Sequence, residues 1–212
     1  MNVLDGTLMK QLLSYIEGFL SYPNSVLKEL EKEYQTREDV APHIGIHVGI
    51  FLNWLIQVMR AKRALEFGTC IGYSTIFLGQ GLQKTGGHLM AIESREEFYQ
   101  EAKRNVERAG LSDVVELIQG DASQFVHHLV GPFDLILQDA TKSLYPVMLE
   151  KCIQLIRPGG VIAADDALFR PMGFREELSK HMDEYNEQVF ADPRLVSTIL
   201  PIGDGLTISM KR

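Results

Sequence analysis

The chain has 212 residues, 45% hydrophobic and 23% charged, a balance that supports one globular domain with a substantial core and excludes a disordered chain. Lys and Arg number 21 against 28 Asp and Glu, for a formal net charge of −7, so no overall field draws the protein to nucleic acid or an anionic membrane. Cys70 and Cys152 have no CxxC partner, and the histidines (His43, His47, His88, His127, His128, His181) form no HExxH pattern, which argues against a disulfide framework or a zinc site.

The first 60 residues read as helices. The opening "MNVLDGTLMKQLLSYIEGFL" carries Asp5, Lys10 and Glu17, so it holds neither an uninterrupted signal-type apolar run nor a spanning segment, and a soluble, cytoplasmic protein without membrane attachment is expected. Leu8, Leu12, Tyr15, Ile16 and Phe19 recur at helical spacing and predict an amphipathic helix over 7–20, followed by helices over 25–35 and 44–60. From Arg63 short apolar strands alternate with amphipathic helices. The strands are expected at 63–68, 88–93, 114–119, 133–138, 160–165, 195–200 and 206–211, and the helices at 73–83, 95–109, 121–130, 143–156 and 173–190. Repeated βα units imply an α/β fold, a doubly wound, mostly parallel sheet with helices on both faces. Only "PIGDG" separates the last two strands, too short for a parallel crossover, so they should close as an antiparallel hairpin. No internal repeat or low-complexity stretch divides the chain. Residues 1–212 are read as a single domain, helical over 1–60 with a Rossmann-like core over 61–212.

In such sheets ligands bind at the carboxyl edge, so the residues just after each strand carry the function. "LEFGTCIGYST" (65–75) is a strand end, a glycine turn and a helix start. It lacks the middle glycine through which a GxGxxG turn admits a pyrophosphate. Glu66 at the strand end would repel a pyrophosphate but attract an ammonium. Ser74 at the helix start could take a carboxylate, helped by the exposed amides and the helix dipole. Glu93 ends the second strand, where an acid can bind ribose hydroxyls, and "GDAS" (120–123) follows the third, beside where an adenine would lie. Each acid alone could be a surface group or a helix cap. Three in succession favour S-adenosylmethionine, with its ammonium and sulfonium and no phosphate, over NAD.

Asp139 and Lys142 follow the fourth strand in "FDLILQDATKSLYP", and Asp165 and Asp166 end the fifth in "GVIAADDALF". If these strands are neighbours, three carboxylates converge beside the cofactor, which is costly without a cation. Oxygen ligands alone suit a hard ion, Mg²⁺ first, with Mn²⁺ or Ca²⁺ as alternatives.

At this point the chain resembles the cation-dependent O-methyltransferases, which include catechol and caffeoyl-CoA O-methyltransferases and many small bacterial members. The resemblance runs from about His43 to Lys211, through "LEFGTCIGYST", "FDLILQDATK", "IAADDALF" and "PIGDGL" in that order. It implies a class I methyltransferase sheet and a homodimer. By resemblance Glu66, Gly68, Thr69, Ser74, Glu93 and Ala122 fall at cofactor-contacting positions with Asp121 beside them, and Ile44 matches a further contact. Asp139, Asp165 and Asp166 match the metal ligands, Asp139 also bordering the cofactor, and Lys142 matches the proposed general base. The family's usual pair at 165–166 is Asp-Asn where this chain has Asp-Asp, and Thr141 stands where many members carry Asp. Neither change removes an oxygen ligand.

The implied reaction is methyl transfer to one oxygen of a vicinal diol on an aromatic, catechol-like acceptor. A free phenol has a pKa of about 10 and is a poor nucleophile when neutral. A cation on both oxygens would make it acidic, and Lys142 could take the proton. Three rivals stand beside this reading: a tRNA hydroxyuridine methyltransferase of the same family, disfavoured by the negative charge; an NAD(P)-dependent oxidoreductase, disfavoured by the missing glycine; and a protein that only binds S-adenosylmethionine, disfavoured by Lys142 beside Asp139.

Overall fold

Seven strands form one sheet in a computed structural model that describes residues 6–212, with side chains from Gln11 onward. The elements in chain order are α1 (Gly6–Glu17), α2 (Ser25–Tyr34), α3 (Gly45–Met59), β1 (Arg63–Phe67), α4 (Tyr73–Thr85), β2 (His88–Glu93), α5 (Glu96–Arg108), β3 (Val115–Gln119), α6 (Ala122–Phe125), β4 (Phe133–Gln138), α7 (Leu144–Leu155), β5 (Ile156–Ala164), α8 (Glu176–Ala191), β6 (Leu195–Leu200) and β7 (Leu206–Lys211). The strand order is β3-β2-β1-β4-β5-β7-β6. Strands β1 to β5 pair in parallel, while β7 runs antiparallel to β5 and to β6. The expected hairpin closes with Leu200 opposite Leu206.

The chain winds outward from β1 to β3, then crosses back to lay β4 on the other side of β1. This reversal is where α/β sheets open a ligand crevice. The register brings the strand ends level: Phe67 pairs with Ile92 on one side and Gln138 on the other, and Gln138 pairs with Ala164. Gly68, Asp139 and Asp165 therefore leave the sheet side by side. At Gly68, φ is +90°, and an added Cβ would collide with the Asp139 carbonyl group. Only glycine lets the two strand ends meet this closely.

Side chains alternate across the sheet with period two. Ala64, Leu135, Leu137 and Ala163 face Leu52, Ile56, Ile76 and Phe77 of α3 and α4, while Leu65, Phe67, Ile136 and Ile162 face Met148, Cys152, Met182 and Val189 of α7 and α8. Full burial of each large apolar side chain is worth about 1.5–3 kcal/mol. Because Leu65 and Phe67 point toward α7, Glu66 between them points toward α4.

Four elements depart from expectation. The helix expected at 121–130 is a single turn, Ala122–Phe125. Beyond it the bonding tightens to a turn, His127 and His128 donating to the Gln124 and Phe125 carbonyls, and Arg63 straps the following segment down by donating to the Val130 and Pro132 carbonyls. Helix α8 begins at Glu176 rather than 173, because Gly173 sits at φ +78° and Phe174 folds back to stack on Phe169. Strand β5 begins early, at Ile156, and runs through an irregular Pro158-Gly159 step where its register with β4 shifts. Helix α1 ends at Glu17; its Leu12, Tyr15 and Ile16, and Phe19 just beyond it, face solvent rather than the core; Leu8 lies outside the described side chains. No helix among the described residues is long and apolar enough to cross a membrane.

Candidate active site

The glycine turn between β1 and α4 is built around two buried acids. Glu66 has no exposure; one carboxylate oxygen accepts from the Thr75 hydroxyl at 2.6 Å, and the other, Oε1, has no partner. Burial pushes the Glu66 carboxyl up to about 8; the Ser74 and Thr75 hydroxyls oppose that shift and the charges of Asp139 and Glu93 add to it. An orphaned acceptor in a dry site is expensive, and it fits a ligand that brings N–H donors and positive charge. The Thr69 hydroxyl, also buried and unpartnered, lies in the same turn, and the unpartnered amide nitrogen of Gln138 ends neighbouring β4.

Glu93 plays a structural part there. Its Oε2 accepts from the backbone N–H groups of Thr69 and Cys70 at 3.2 and 2.8 Å, and its Oε1 from that of Arg95 at 2.8 Å. The carboxylate thus pins the turn from the end of β2 while keeping acceptor capacity toward the crevice. Asp121 caps α6, accepting from the Ser123 N–H and hydroxyl, and these bonds hold its carboxyl below the ordinary range. Ala122 is buried at the head of α6, and Ile44 is buried just ahead of α3. Burial pushes the Cys70 thiol up to about 11 and the Cys152 thiol to about 12, which suits small packing residues rather than nucleophiles.

Beside the turn, Asp139, Asp165 and Asp166 each offer one oxygen, all within 4.8 Å of one another. Asp165 is 4% exposed, and its Oδ1 has no partner. Asp166 adopts φ +69°, a left-handed conformation that Asp tolerates better than most residues. The group is strained electrostatically. Burial, with Asp139 and Asp166 nearby, holds the Asp165 carboxyl well above the carboxylate range. Burial pushes Asp139 up to about 6, with Lys142 pulling it down and Asp166 pushing it up. Lys142 Nζ lies 2.5 Å from Asp166 Oδ2 and 3.3 Å from Asp139 Oδ1, and donates to the Tyr145 hydroxyl at 2.8 Å. Burial works against its charge, yet Tyr145, Asp139 and Asp166 together keep the ammonium protonated well above the lysine range. An oxygen-only set with one orphaned, buried carboxylate oxygen fits a hard divalent cation.

Glu66, Gly68, Thr69, Glu93, Asp121, Asp139, Asp165 and Asp166 thus lie at the carboxyl ends of neighbouring strands β1 to β5, Ser74 and Ala122 at the helix starts that follow, and Ile44 ahead of α3. Sequence reasoning missed Thr75, which holds Glu66; Tyr145, which holds Lys142; and the β6–β7 turn. Tyr145 was findable, since it lies three residues after Lys142 across the turn that leads into α7. The β6–β7 turn presses on the site from the far strands: Ala167 and Leu168 donate to the Gly205 and Asp204 carbonyls, both at 2.9 Å, a contact no local pattern reveals.

A profile of the O-methyltransferase family matches residues 18–212. A catechol O-methyltransferase from Niastella koreensis is 34% identical over 73% of this chain and 71% of its own length. Caffeoyl-CoA O-methyltransferase 1 of Arabidopsis thaliana is 30% identical over 93% of this chain and 83% of its own. The O-methyltransferase from Bacillus cereus, solved in complex with SAH, superposes with a TM-score of 0.82 at 29% identity, covering 94% of this chain and 96% of that one. With the glycine turn, the paired strand-end acids and the C-terminal hairpin in one arrangement, the chain belongs to the O-methyltransferase family that includes the caffeoyl-CoA and catechol enzymes.

Proposed function

We propose that the protein transfers the methyl group of S-adenosylmethionine to one hydroxyl of a vicinal diol on a catechol-like small molecule, with a divalent cation, Mg²⁺ first, held by Asp139, Asp165 and Asp166. The observation that carries this reading is the pair of buried, unpartnered carboxylate oxygens, Glu66 Oε1 and Asp165 Oδ1, at adjoining strand ends. One calls for a cationic N–H donor, the other for a cation. The Bacillus cereus relative was solved with SAH, the demethylated product of that donor.

Glu66 would take the donor's ammonium, Ser74 and the first amides of α4 its carboxylate, and Glu93 its ribose hydroxyls, while Thr69, Ile44, Asp121 and Ala122 border it. Donor and cation supply, respectively, an electrophilic methyl and a charge that acidifies the diol. Asp139 is close enough to act on the Glu66 carboxyl and belongs to the aspartate set, so it would hold donor and cation side by side. Such positioning can lower a barrier by about 7–11 kcal/mol in favourable systems. The phenolic proton passes to Lys142 Nζ, which is competent as a base only when Asp139 and Asp166 no longer hold its ammonium. S-adenosylmethionine held there would supply the methyl, its bonding pair staying on sulfur while the diol oxygen's pair forms the new bond.

The test is incubation with labelled S-adenosylmethionine and a panel of catechols, with and without EDTA, alongside a tRNA arm. The expected result is methylated catechol that EDTA abolishes and Mg²⁺ restores, with no label on tRNA. Full activity after exhaustive chelation overturns the metal role, and label on tRNA alone overturns the acceptor.

A further inference from the structure

An ammonium has three N–H donors, and around Lys142 three acceptors take them: Asp166, Tyr145 and Asp139. Two of these acceptors belong to the oxygen set that fits a divalent cation. The third does not. Tyr145 is fully buried on α7, and its ring meets that of Tyr185 edge-on at 5.6 Å. It is locked by packing, so its hydroxyl stays in place when the carboxylates reorient. Mg²⁺ needs oxygens at about 2.0–2.1 Å in near-octahedral array, so oxygens up to 4.8 Å apart must close inward around it. Asp166, the carboxylate nearest the ammonium, must then serve two cations of like sign.

Resting on the metal reading above, we propose that the Lys142 ammonium and a divalent cation compete for Asp139 and Asp166, and that Tyr145 is the positioning residue that sets the balance by drawing the ammonium onto its hydroxyl. Without the cation, Lys142 is the counter-charge of the three acids and keeps them from repelling one another. With it, the Lys142 ammonium withdraws to its one fixed neutral acceptor, the Tyr145 hydroxyl. The aspartate at 166 strengthens this competition, because a neutral amide there would hold the ammonium less tightly.

Mn²⁺ titrations read by the spin-resonance signal of the free ion test this on metal-free wild type, Lys142→Met, Tyr145→Phe and the double variant. Lys142→Met should bind Mn²⁺ about tenfold more tightly, and Tyr145→Phe about three- to tenfold more weakly. The Tyr145 effect should vanish in the Lys142→Met background, because the hydroxyl acts only through the ammonium. Equal weakening in both backgrounds, or no effect of Tyr145→Phe, overturns the proposal. A wild type and Lys142→Met that both fail to bind Mn²⁺ overturn the metal reading itself, a different outcome. Should Tyr145→Phe fold poorly, the tyrosine ultraviolet difference spectrum of wild type on Mn²⁺ addition decides: a change that is absent in Lys142→Met supports the exchange, and no change overturns it.

Discussion

Glu66 concentrates the physics of the proposed donor site in one side chain. Its carboxyl rises to about 8 from an ordinary value of 4.5, chiefly through burial. The folded protein therefore holds a proton that the unfolded chain releases between those values. The stability this group contributes is full below the unfolded pKa and is lost as pH rises through the folded one. Thermal melts of Glu66→Gln and wild type, both without ligand, should show it. The variant should gain on wild type by up to about 1.4 kcal/mol per pH unit between about pH 5 and 8, and the gap should flatten above that. A gap that does not change with pH shows that Glu66 is ionised in the free protein. The same variant should bind S-adenosylmethionine more weakly at alkaline pH, where wild type carries the full charge.

At the scale of elements, the β6–β7 hairpin is a brace for the loop that carries Asp166 rather than a plain edge. Gly205 sits at φ +94°, and an added Cβ would lie 2.7 Å from the Leu168 nitrogen and 2.5 Å from its Cγ. Gly203 packs the same turn against Val48 of α3. The turn thus ties the helix beside the donor site to the loop that carries Asp166. Gly205→Ala should lower unfolding stability by about 1–3 kcal/mol through left-handed strain and overpacking. It should also weaken Mn²⁺ binding, because Ala167 and Leu168 shift and Asp166 shifts with them. Urea unfolding and Mn²⁺ titration check the two effects separately. A variant that loses stability but keeps wild-type Mn²⁺ affinity shows that the hairpin holds the fold and leaves the ligands alone.

Across the whole molecule, the core is well buried and the N-terminal helix is not. Tyr15 of α1 and Phe19 just after it are 70% and 73% exposed, and Trp54 and Val58 of α3 are 55% and 58% exposed. A helix of 12 residues with little packing is marginal in water, and exposed apolar side chains on it favour a contact with another surface. A homodimer covering it is the expected state. Light scattering should give twice the mass of one chain, and Tyr15→Glu with Phe19→Glu should return a monomer that retains the core's thermal transition. A wild-type protein that is monomeric at every concentration tested overturns this assembly.

The amino-acid order by itself determined much of this protein. Period-two strands alternating with period-3.6 helices specified the doubly wound sheet, since those periods follow from local backbone geometry. The five residues of "PIGDG" forced the final hairpin, because a parallel return cannot be made in that length. The acids were legible at Glu66, Glu93, Asp139, Asp165 and Asp166 because strand ends are where an α/β sheet exposes polar groups to a ligand. Tertiary structure decided what each acid does. Whether Glu93 faces a ligand or pins a turn depends on the Thr69 and Cys70 amides, which reach it from another strand. The course of the segment after α6 is held by Arg63, more than sixty residues away in the chain. That Lys142 is held as a cation follows from Asp166 and Tyr145 closing around it, and charge interactions of this kind depend on distance and burial in three dimensions, which no one-dimensional spacing encodes.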